Sequence, residues 1–179
     1  MPMEVIVLPH NPAWIEMFQA ESRRVRTALG ENALAVHHIG STAIPSIVAK
    51  PVIDMLVAVT DIEAVDTRSD AMVAIGYEAM GELGIPGRRY FRKDNTAGKR
   101  THHVHVFAQG TDQIDRHLAF RDFMNAHSAW AARYGELKQT LVSKHPDSIE
   151  AYMAGKDDFI KHVDGLAASW RSRTAKNCD

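Results

Sequence analysis

Two histidines and one aspartate have the residue types and spacing best suited to chemistry in this chain. His103 and His105 stand two positions apart in an alternating run, so both face the same side of a β-strand. Asp54 is the single charge in the apolar run 52–59, and a carboxylate in a buried strand needs a cation or hydrogen-bond donors. We therefore expect Asp54, His103 and His105 to face one another around a divalent metal ion. If the chain is catalytic, we expect the acid–base step to belong to one of the two histidines.

Each of these residues also has a purely structural interpretation. Asp54 can cap a turn or pair with Lys50 or an arginine, and a strand histidine can be hydrogen-bonded in a core or on a surface without any further role. Neighbouring residues of a strand face opposite sides, so only one of His37 and His38 can share a face with the site.

A second set of residues is suited to binding a phosphate group. Positions 88–100 carry six Arg and Lys residues in a chain whose net charge is −1. Small residues at 40–42 offer backbone N–H groups and hydroxyls ahead of a helical turn predicted for 43–48. The candidate phosphate-binding residues are Gly40, Ser41, Thr42, Lys50, Arg88, Arg89, Arg92 and Lys156. We predict that residues 40–42 and Lys50 share one cleft with the arginines, and a solvated hairpin surface is the alternative.

Hydrophobic periodicity predicts the elements that must position these residues. Extended segments are predicted at 3–8, 34–39, 52–59, from 77, at 88–93 and at 101–107, and helices at 13–29, 61–75 and from 111 onward. The run 52–59 is apolar almost throughout, which indicates a strand buried on both faces. The pattern predicts one α+β domain over 1–179, with a small mixed β-sheet, packed helices and a helical C-terminal third at about 111–173.

Composition excludes several classes of protein. Hydrophobic residues make up 45% and charged residues 24% of 179, which is ordinary globular usage and excludes a disordered chain. Twenty-one Lys and Arg against 22 Asp and Glu leave no basic field, so no nucleic-acid partner is expected. The one cysteine, Cys178, allows neither an intramolecular disulfide nor a Cys-based zinc site. Without a signal-peptide pattern or an apolar run of ~18 residues, we expect a cytoplasmic protein with no membrane partner, in an oligomeric state that the sequence leaves open.

Four blocks of the sequence resemble the GrpB family in order and spacing. They are HIGSTAIPSIVAKPVIDMLV at 38–57, GIPGRRYFRK at 84–93, THHVHV at 101–106 and HLAFRD at 117–122, within a likeness that covers about 10–165. The GrpB family is similar to the nucleotidyltransferase superfamily, which implies a sheet of that type, Ser41 at the phosphates of a nucleotide, and Asp54 on a metal. The same domain is also found fused to dephospho-coenzyme A kinases, which implies a link to nucleotide or coenzyme metabolism.

One position departs from the nucleotidyltransferase pattern. Active members of that superfamily usually carry Asp-x-Asp, whereas Leu56 stands two positions after Asp54. We hypothesise that His103 and His105, or Glu82, substitute for the missing carboxylate. Imidazole ligands favour Mn²⁺, Zn²⁺, Ni²⁺ or Fe²⁺ over Mg²⁺, which prefers oxygen ligands.

Three functions are consistent with these residues. The first is a transferase that binds a nucleotide or another phosphate ester with Mg²⁺, Mn²⁺ or Zn²⁺ and transfers a nucleotidyl or phosphoryl group. The second is a non-catalytic ligand-binding or regulatory module that retains the phosphate pocket. The third is a histidine-based phosphate-ester hydrolase, although Phe107 stands at the same-face position where a third histidine would be expected. Turnover of a mixed pool of nucleotides and acceptors separates the enzymes from the module.

Overall fold

The computed structural model describes residues 4–177, and the chain divides into two compact units. The first unit comprises Pro12–Gly40 and Val52–Asp115. The second comprises Met1–Asn11, Ser41–Pro51 and Arg116–Asp179, of which residues 4–11, 41–51 and 116–177 are described. Both units carry buried hydrophobic side chains.

A five-stranded mixed sheet forms the centre of the first unit. Its strands are β1 (Ala33–Ile39), β2 (Ile53–Val59), β3 (Glu78–Ala79), β4 (Arg89–Asp94) and β5 (Arg100–Ala108), and its helices are α1 (Ala13–Leu29) and α2 (Ser69–Ala74). The strands lie in the order β1-β2-β5-β4-β3. β2 and β5 are parallel, and the other neighbours are antiparallel. These pairings confirm the predicted mixed sheet, and the extended segments predicted at 88–93 and 101–107 form the antiparallel pair of β4 and β5.

The apolar sequence of β2 explains its place inside the sheet. All of its residues except Asp54 are buried, as expected for a strand covered on both faces. On one face, the Phe18 ring of α1 stacks on His38 of β1 with centroids 4.8 Å apart. His37 precedes His38 in β1 and therefore faces the other side of the sheet, as predicted.

Three helices make up most of the second unit. They are α3 (Asp112–Ala126), which begins in the first unit, α4 (Ser128–Lys144) and α5 (Ile149–Lys176). Ile44 and Ile47 belong to the hydrophobic cluster of these helices. The hydroxyl of Ser148 caps α5 by accepting a hydrogen bond from the backbone N–H of Ala151 at 3.2 Å. The helical C-terminal third is thus confirmed. Among residues 4–177, no helix combines the length and the apolar character needed to cross a membrane.

The strand predicted at 3–8 is absent from the described part of that segment. Residues 4–7 form no strand, and Leu8 makes only an isolated antiparallel bridge with Ala49. Pro9 has no N–H to donate, which limits the pairing to this single bridge. Met3 lies outside the described residues.

Two predicted helical segments also differ from the structure. The turn predicted at 43–48 is a 3₁₀ turn at Ser41–Ala43, because Pro45 lacks an N–H and disfavours helix in the residue before it. The helix predicted at 61–75 is a 3₁₀ segment at Glu63–Arg68 followed by the short α2. It ends where Gly76 takes a φ of +96°.

Candidate functional site

Strand register brings Asp54 to the two histidines of β5. β2 and β5 run parallel, with Asp54 opposite His103 and Leu56 opposite His105. Residues two apart on a strand face the same side, so Asp54, His103 and His105 lie on one face of the sheet. All three belong to the first unit.

These side chains form a compact group of one carboxylate and two imidazoles. His103 Nδ1 lies 2.9 Å and His105 Nε2 lies 3.7 Å from Asp54 Oδ1. One ligand atom from each residue lies within 4.8 Å of the other two. The Asp54, His103 and His105 side chains are 27%, 22% and 16% exposed, so solvent and small ligands reach them. The predicted convergence of these three residues is confirmed.

The geometry of this group fits a divalent cation. Bonds of about 2.0–2.2 Å from a metal to nitrogen or oxygen place adjacent ligand atoms about 3.0–3.4 Å apart. The 2.9 and 3.7 Å separations from Asp54 Oδ1 to the two imidazole nitrogens require only small adjustments. Two imidazoles with a carboxylate suit Mn²⁺, Fe²⁺, Ni²⁺ or Zn²⁺. Among residues 4–177, Asp54, His103 and His105 form the one candidate metal-binding triad.

The surroundings of Asp54 keep it ionised. Burial would raise the pKa of this carboxyl, but hydrogen-bond and electrostatic interactions with His103 and His105 lower the pKa well below its ordinary value. Tyr90 lies beside both imidazoles, with its ring centroid 5.6 Å from that of His103 and 5.2 Å from that of His105. Burial raises the pKa of Tyr90, so this residue is a neutral phenol. Asp54 is therefore a carboxylate at neutral pH, which is the form that binds a metal.

Gly40 packs directly against the Asp54 carboxylate. Its φ is +72°, a conformation that favours glycine, and a Cβ atom at this position would lie 2.7 Å from Asp54 Oδ2. Gly40 therefore determines where the carboxylate sits. The phosphate contact predicted for Gly40 remains a prediction.

Replacing Gly40 with alanine is expected to displace the Asp54 carboxylate and weaken Mn²⁺ binding about tenfold, the effect typical of disturbing a residue that supports a ligand. Strain at positive φ should also lower the free energy of unfolding by about 1–2 kcal/mol. Gly98→Ala is the matched control, because Gly98 also has a φ of +72° but nothing lies within 4 Å of its Cβ position. Denaturant unfolding and Mn²⁺ titration measure both effects. Equal Mn²⁺ affinity in the two variants would show that the close approach to Asp54 is unimportant.

The three arginines predicted to bind phosphate have different partners. Arg89 forms a bidentate pair with Asp66, with N–O distances of 2.6 and 2.9 Å. Arg92 Nε donates to Glu78 at 2.6 Å. Arg88 is 7% exposed and donates to the backbone carbonyls of residues 82 and 83 at 3.1 and 2.9 Å. Its Nη1 also lies 3.4 Å from Nδ1 of a triad histidine, His105. Of the three arginines, Arg88 is the one placed against the triad.

In the second unit, Ser41 contacts a buried lysine that is not among the predicted site residues. Lys138 of α4 is 1% exposed and donates from Nζ to Ser41 Oγ and, at 3.3 Å, to the carbonyl of Val48. The sequence signal for this contact is the position of Lys138 in α4, between Tyr134 and Leu141 on the buried side of the helix. Lys156 is also buried, with Nζ 4.5 Å from the centre of the Tyr152 ring.

Thr42 is buried and Lys50 is half-buried, both in the second unit. The cleft predicted to join residues 40–42 and Lys50 to the arginines remains a prediction.

Three further residues bear on the ligand set of the triad, and each has a structural role or is buried. Glu82 Oε1 accepts a hydrogen bond from the backbone N–H of Gly87 at 2.9 Å, and Glu82 is not part of the metal-binding group found among residues 4–177. Leu56, two positions after Asp54 in the chain, is fully buried. Phe107, at the position considered for a third histidine, is 1% exposed. The histidines, rather than Glu82, therefore accompany Asp54.

Two relatives match nearly all of this chain. The GrpB protein family matches residues 4–165. The crystal structure of the conserved protein GrpB from Enterococcus faecalis superposes with a TM-score of 0.88 at 48% identity, over 93% of this chain and 99% of that chain. The UPF0157 protein YqkA of Bacillus subtilis is 47% identical over 94% of this chain and 48% of YqkA. The chain thus spans about half the length of that relative.

Two further likenesses have lower sequence identity. A dephospho-CoA kinase of Mycolicibacterium paratuberculosis is 28% identical over 95% of this chain and 47% of the kinase. The Cid1 poly(U) polymerase, in its MgGTP-bound crystal structure, matches with a TM-score of 0.51 at 11% identity, over 83% of this chain and 50% of that chain. At this low identity the likeness to Cid1 concerns the fold alone, and it confirms the predicted nucleotidyltransferase-like fold.

Proposed function

This chain belongs to the GrpB family, and we propose that it holds a divalent cation on Asp54, His103 and His105 and acts on a nucleotide or another phosphate ester. The proposed reaction is the transfer of a nucleotidyl or phosphoryl group. The observation that carries the proposal is the convergence of a carboxylate and two imidazoles on one sheet face of a nucleotidyltransferase-like fold. When bound, the cation would stabilise negative charge on phosphoryl oxygens.

The side chains of the triad have distinct roles in this proposal. Asp54 supplies the negative charge that attracts the cation and orients both imidazoles. His103 and His105 complete the ligand set or move a proton, because imidazole exchanges protons readily near neutral pH. The buried Leu56 offers no second carboxylate, so a nitrogen-rich site for Mn²⁺ or Zn²⁺ is favoured over an all-oxygen Mg²⁺ site.

The phosphate of the ligand is proposed to bind near the Gly40 turn. In the first unit the proposed phosphate residues are Gly40, Arg88, Arg89 and Arg92. In the second unit they are Ser41, Thr42, Lys50 and Lys156, to which the contact of Lys138 with Ser41 adds Lys138. Support comes from Gly40, which touches the Asp54 carboxylate and directly precedes Ser41 in the chain. To bind the phosphate, Arg89 would exchange its bidentate partner Asp66, whose side chain is 57% exposed.

Turnover of a mixed pool tests the proposal. The protein is incubated with ribonucleotides, sugar phosphates and alcohol acceptors in the presence of Mg²⁺, Mn²⁺ or Zn²⁺, and products are identified by mass spectrometry. We expect a transfer product with Mn²⁺ or Zn²⁺, reduced ~10²–10⁴-fold in His103→Gln or His105→Gln, the usual contribution of an acid–base group. His162→Gln, at an exposed histidine of α5, is the control. Equal rates in all three variants would contradict the assigned role of the triad histidines.

A non-catalytic binding module is the second candidate. Two observations favour it: Leu56 is buried where nucleotidyltransferases carry a second carboxylate, and the chain matches about half of a dephospho-CoA kinase. In that case the same pool would give ligand binding, detected by calorimetry, without any product.

A further inference from the structure

Each imidazole of the triad lies between the Asp54 carboxylate and a guanidinium group. His103 turns Nδ1 toward Asp54 and Nε2 toward Arg100 Nη1, which is 3.4 Å away. His105 turns Nε2 toward Asp54 and Nδ1 toward Arg88 Nη1, also 3.4 Å away. The same order of carboxylate, imidazole and guanidinium therefore occurs twice, through opposite ring nitrogens.

The guanidinium groups determine which ring nitrogen carries the proton. A guanidinium only donates hydrogen bonds, so the nitrogen that faces Arg88 or Arg100 must accept. In a neutral imidazole the other nitrogen then bears the hydrogen. Both rings therefore direct an N–H group at Asp54: that of His103 donates at 2.9 Å, and that of His105 faces the same oxygen at 3.7 Å.

Metal binding requires the opposite arrangement. A cation shared with Asp54 needs a lone pair on the inner nitrogen of each imidazole, so the ring hydrogen moves to the outer nitrogen. The outer N–H groups of His103 and His105 would then face the N–H groups of Arg100 and Arg88, donor against donor. Metal-bound histidines normally direct this N–H group at a carbonyl or a carboxylate. Metal binding and the two arginine contacts therefore exclude each other.

We propose that Arg88 and Arg100 form a latch on the triad, which holds His105 and His103 in the metal-free tautomers and opposes a divalent cation until the guanidiniums withdraw. This inference rests on the proposed metal site and names the residues that control its loading. Both arginines are positioning residues, since they act through the imidazoles.

The two arginine side chains of the latch differ in how easily they can move. Arg88 is 7% exposed, is bonded to two backbone carbonyls, and lies 4.8 Å over the centre of the Tyr90 ring. The Arg100 side chain is 30% exposed and is bonded through Nε to Asp94, whose side chain is 44% exposed. The Arg100 side chain can therefore withdraw readily from His103, whereas the Arg88 side chain is held in place.

Nitrogen NMR of the metal-free protein tests the tautomers directly. Long-range ¹H–¹⁵N correlation spectra at pH 8 distinguish protonated from unprotonated ring nitrogens. We expect unprotonated Nε2 in His103 and unprotonated Nδ1 in His105. The reverse tautomers would overturn the latch, whether or not the protein binds a metal.

Mn²⁺ affinity in variants tests the effect of the latch on loading. Arg100→Met should tighten Mn²⁺ binding about tenfold, the usual scale for groups that support metal ligands, as measured from the EPR signal of free Mn²⁺. Arg88→Gln should also tighten it, because the amide oxygen of glutamine can accept the outer N–H of His105.

Lys99→Met is the matched control for charge. Lys99 is exposed and directly precedes Arg100 in the chain, so its removal takes away the same charge beside the same turn and leaves Arg100 in place. We expect a change of at most about twofold, since an exposed charge is screened by salt. Equal tightening in Lys99→Met and Arg100→Met would overturn the latch. Absence of Mn²⁺ binding in every protein would refute the proposed function, whereas binding that Arg100→Met leaves unchanged would refute the latch alone.

Discussion

Replacing Asp54 with asparagine is expected to lower the affinity for Mn²⁺ by roughly 100-fold or more. Disturbing a residue that only supports a ligand costs 10–100-fold, and this substitution removes the one anionic member of the triad itself. The amide has nearly the same size as the carboxylate and keeps one oxygen acceptor, so the fold should survive. Calorimetric titration with Mn²⁺ measures the loss, and the proposed transfer reaction should fall with it.

Asp66→Asn is the control for this variant because it removes an equal charge from the same unit. Asp66 is 57% exposed and pairs with Arg89. The Asp66 variant should bind Mn²⁺ within about twofold of the parent, since exposed charges are screened by salt. Unchanged affinity in Asp54→Asn would refute the metal site.

The pH dependence of unfolding also distinguishes the parent protein from Asp54→Asn. The pKa of Asp54 is lowered in the folded chain, so its ionised form stabilises the fold above the ordinary Asp pKa of ~3.9. This contribution is lost as the pH falls from that value through the lowered folded pKa. The difference in unfolding free energy between the parent and Asp54→Asn should therefore shrink on acidification.

Local sequence patterns predict which residues form the candidate site, but they do not predict how the strands that carry them pair. A single charge in a buried strand and two histidines at strand spacing identify Asp54, His103 and His105, because both patterns depend on the two-residue period of a strand. The parallel pairing of β2 with β5 has no local pattern, since more than 40 residues separate Asp54 from His103. Their convergence was therefore a hypothesis until the sheet order was known.

Local sequence patterns do not predict which partners long side chains contact. Arg88 and Arg92 both belong to the basic stretch 88–100, yet one meets His105 and the other meets Glu78. Their side-chain conformations and turn geometry decide the difference, and neither has a sequence period. Proline, by contrast, has local effects that the hydrophobic pattern overlooks, which is why the helical turn near Pro45 lies earlier than predicted.

The face of the sheet opposite the triad carries a buried ion pair, which the sequence patterns also do not predict. Lys93 Nζ lies 2.8 Å from Glu21 Oε1, and the two side chains are 17% and 8% exposed. Burial would raise the pKa of the Glu21 carboxyl, but the hydrogen bond and charge of Lys93 outweigh it and lower that pKa. Burial lowers the pKa of nearby His102, against the charge of Glu21. The folded chain therefore favours an ionised Glu21 and a neutral His102.

Replacing Glu21 with glutamine is expected to lower the free energy of unfolding by about 3 kcal/mol at pH 7, because the charge of Lys93 then remains buried without its partner. Asp157→Asn is the control, since it breaks the pair with Lys161, whose members are 56% and 71% exposed. That variant should cost at most about 0.5 kcal/mol. The double variant Glu21→Met, Lys93→Met should recover most of the loss, because it leaves no unpaired charge. Urea unfolding measures all three.

The pH dependence of unfolding separates the contributions of Glu21 and His102. Both groups have lowered pKa values in the folded chain, so the unfolded chain binds more protons and stability falls on acidification. The loss due to His102 should begin near the ordinary histidine pKa of ~6.5, and that due to Glu21 below ~4.3. His102→Gln should remove the first step and Glu21→Gln the second. A Glu21→Gln variant no less stable than Asp157→Asn, with an unchanged acid profile, would show that the buried pair does not stabilise this face of the sheet.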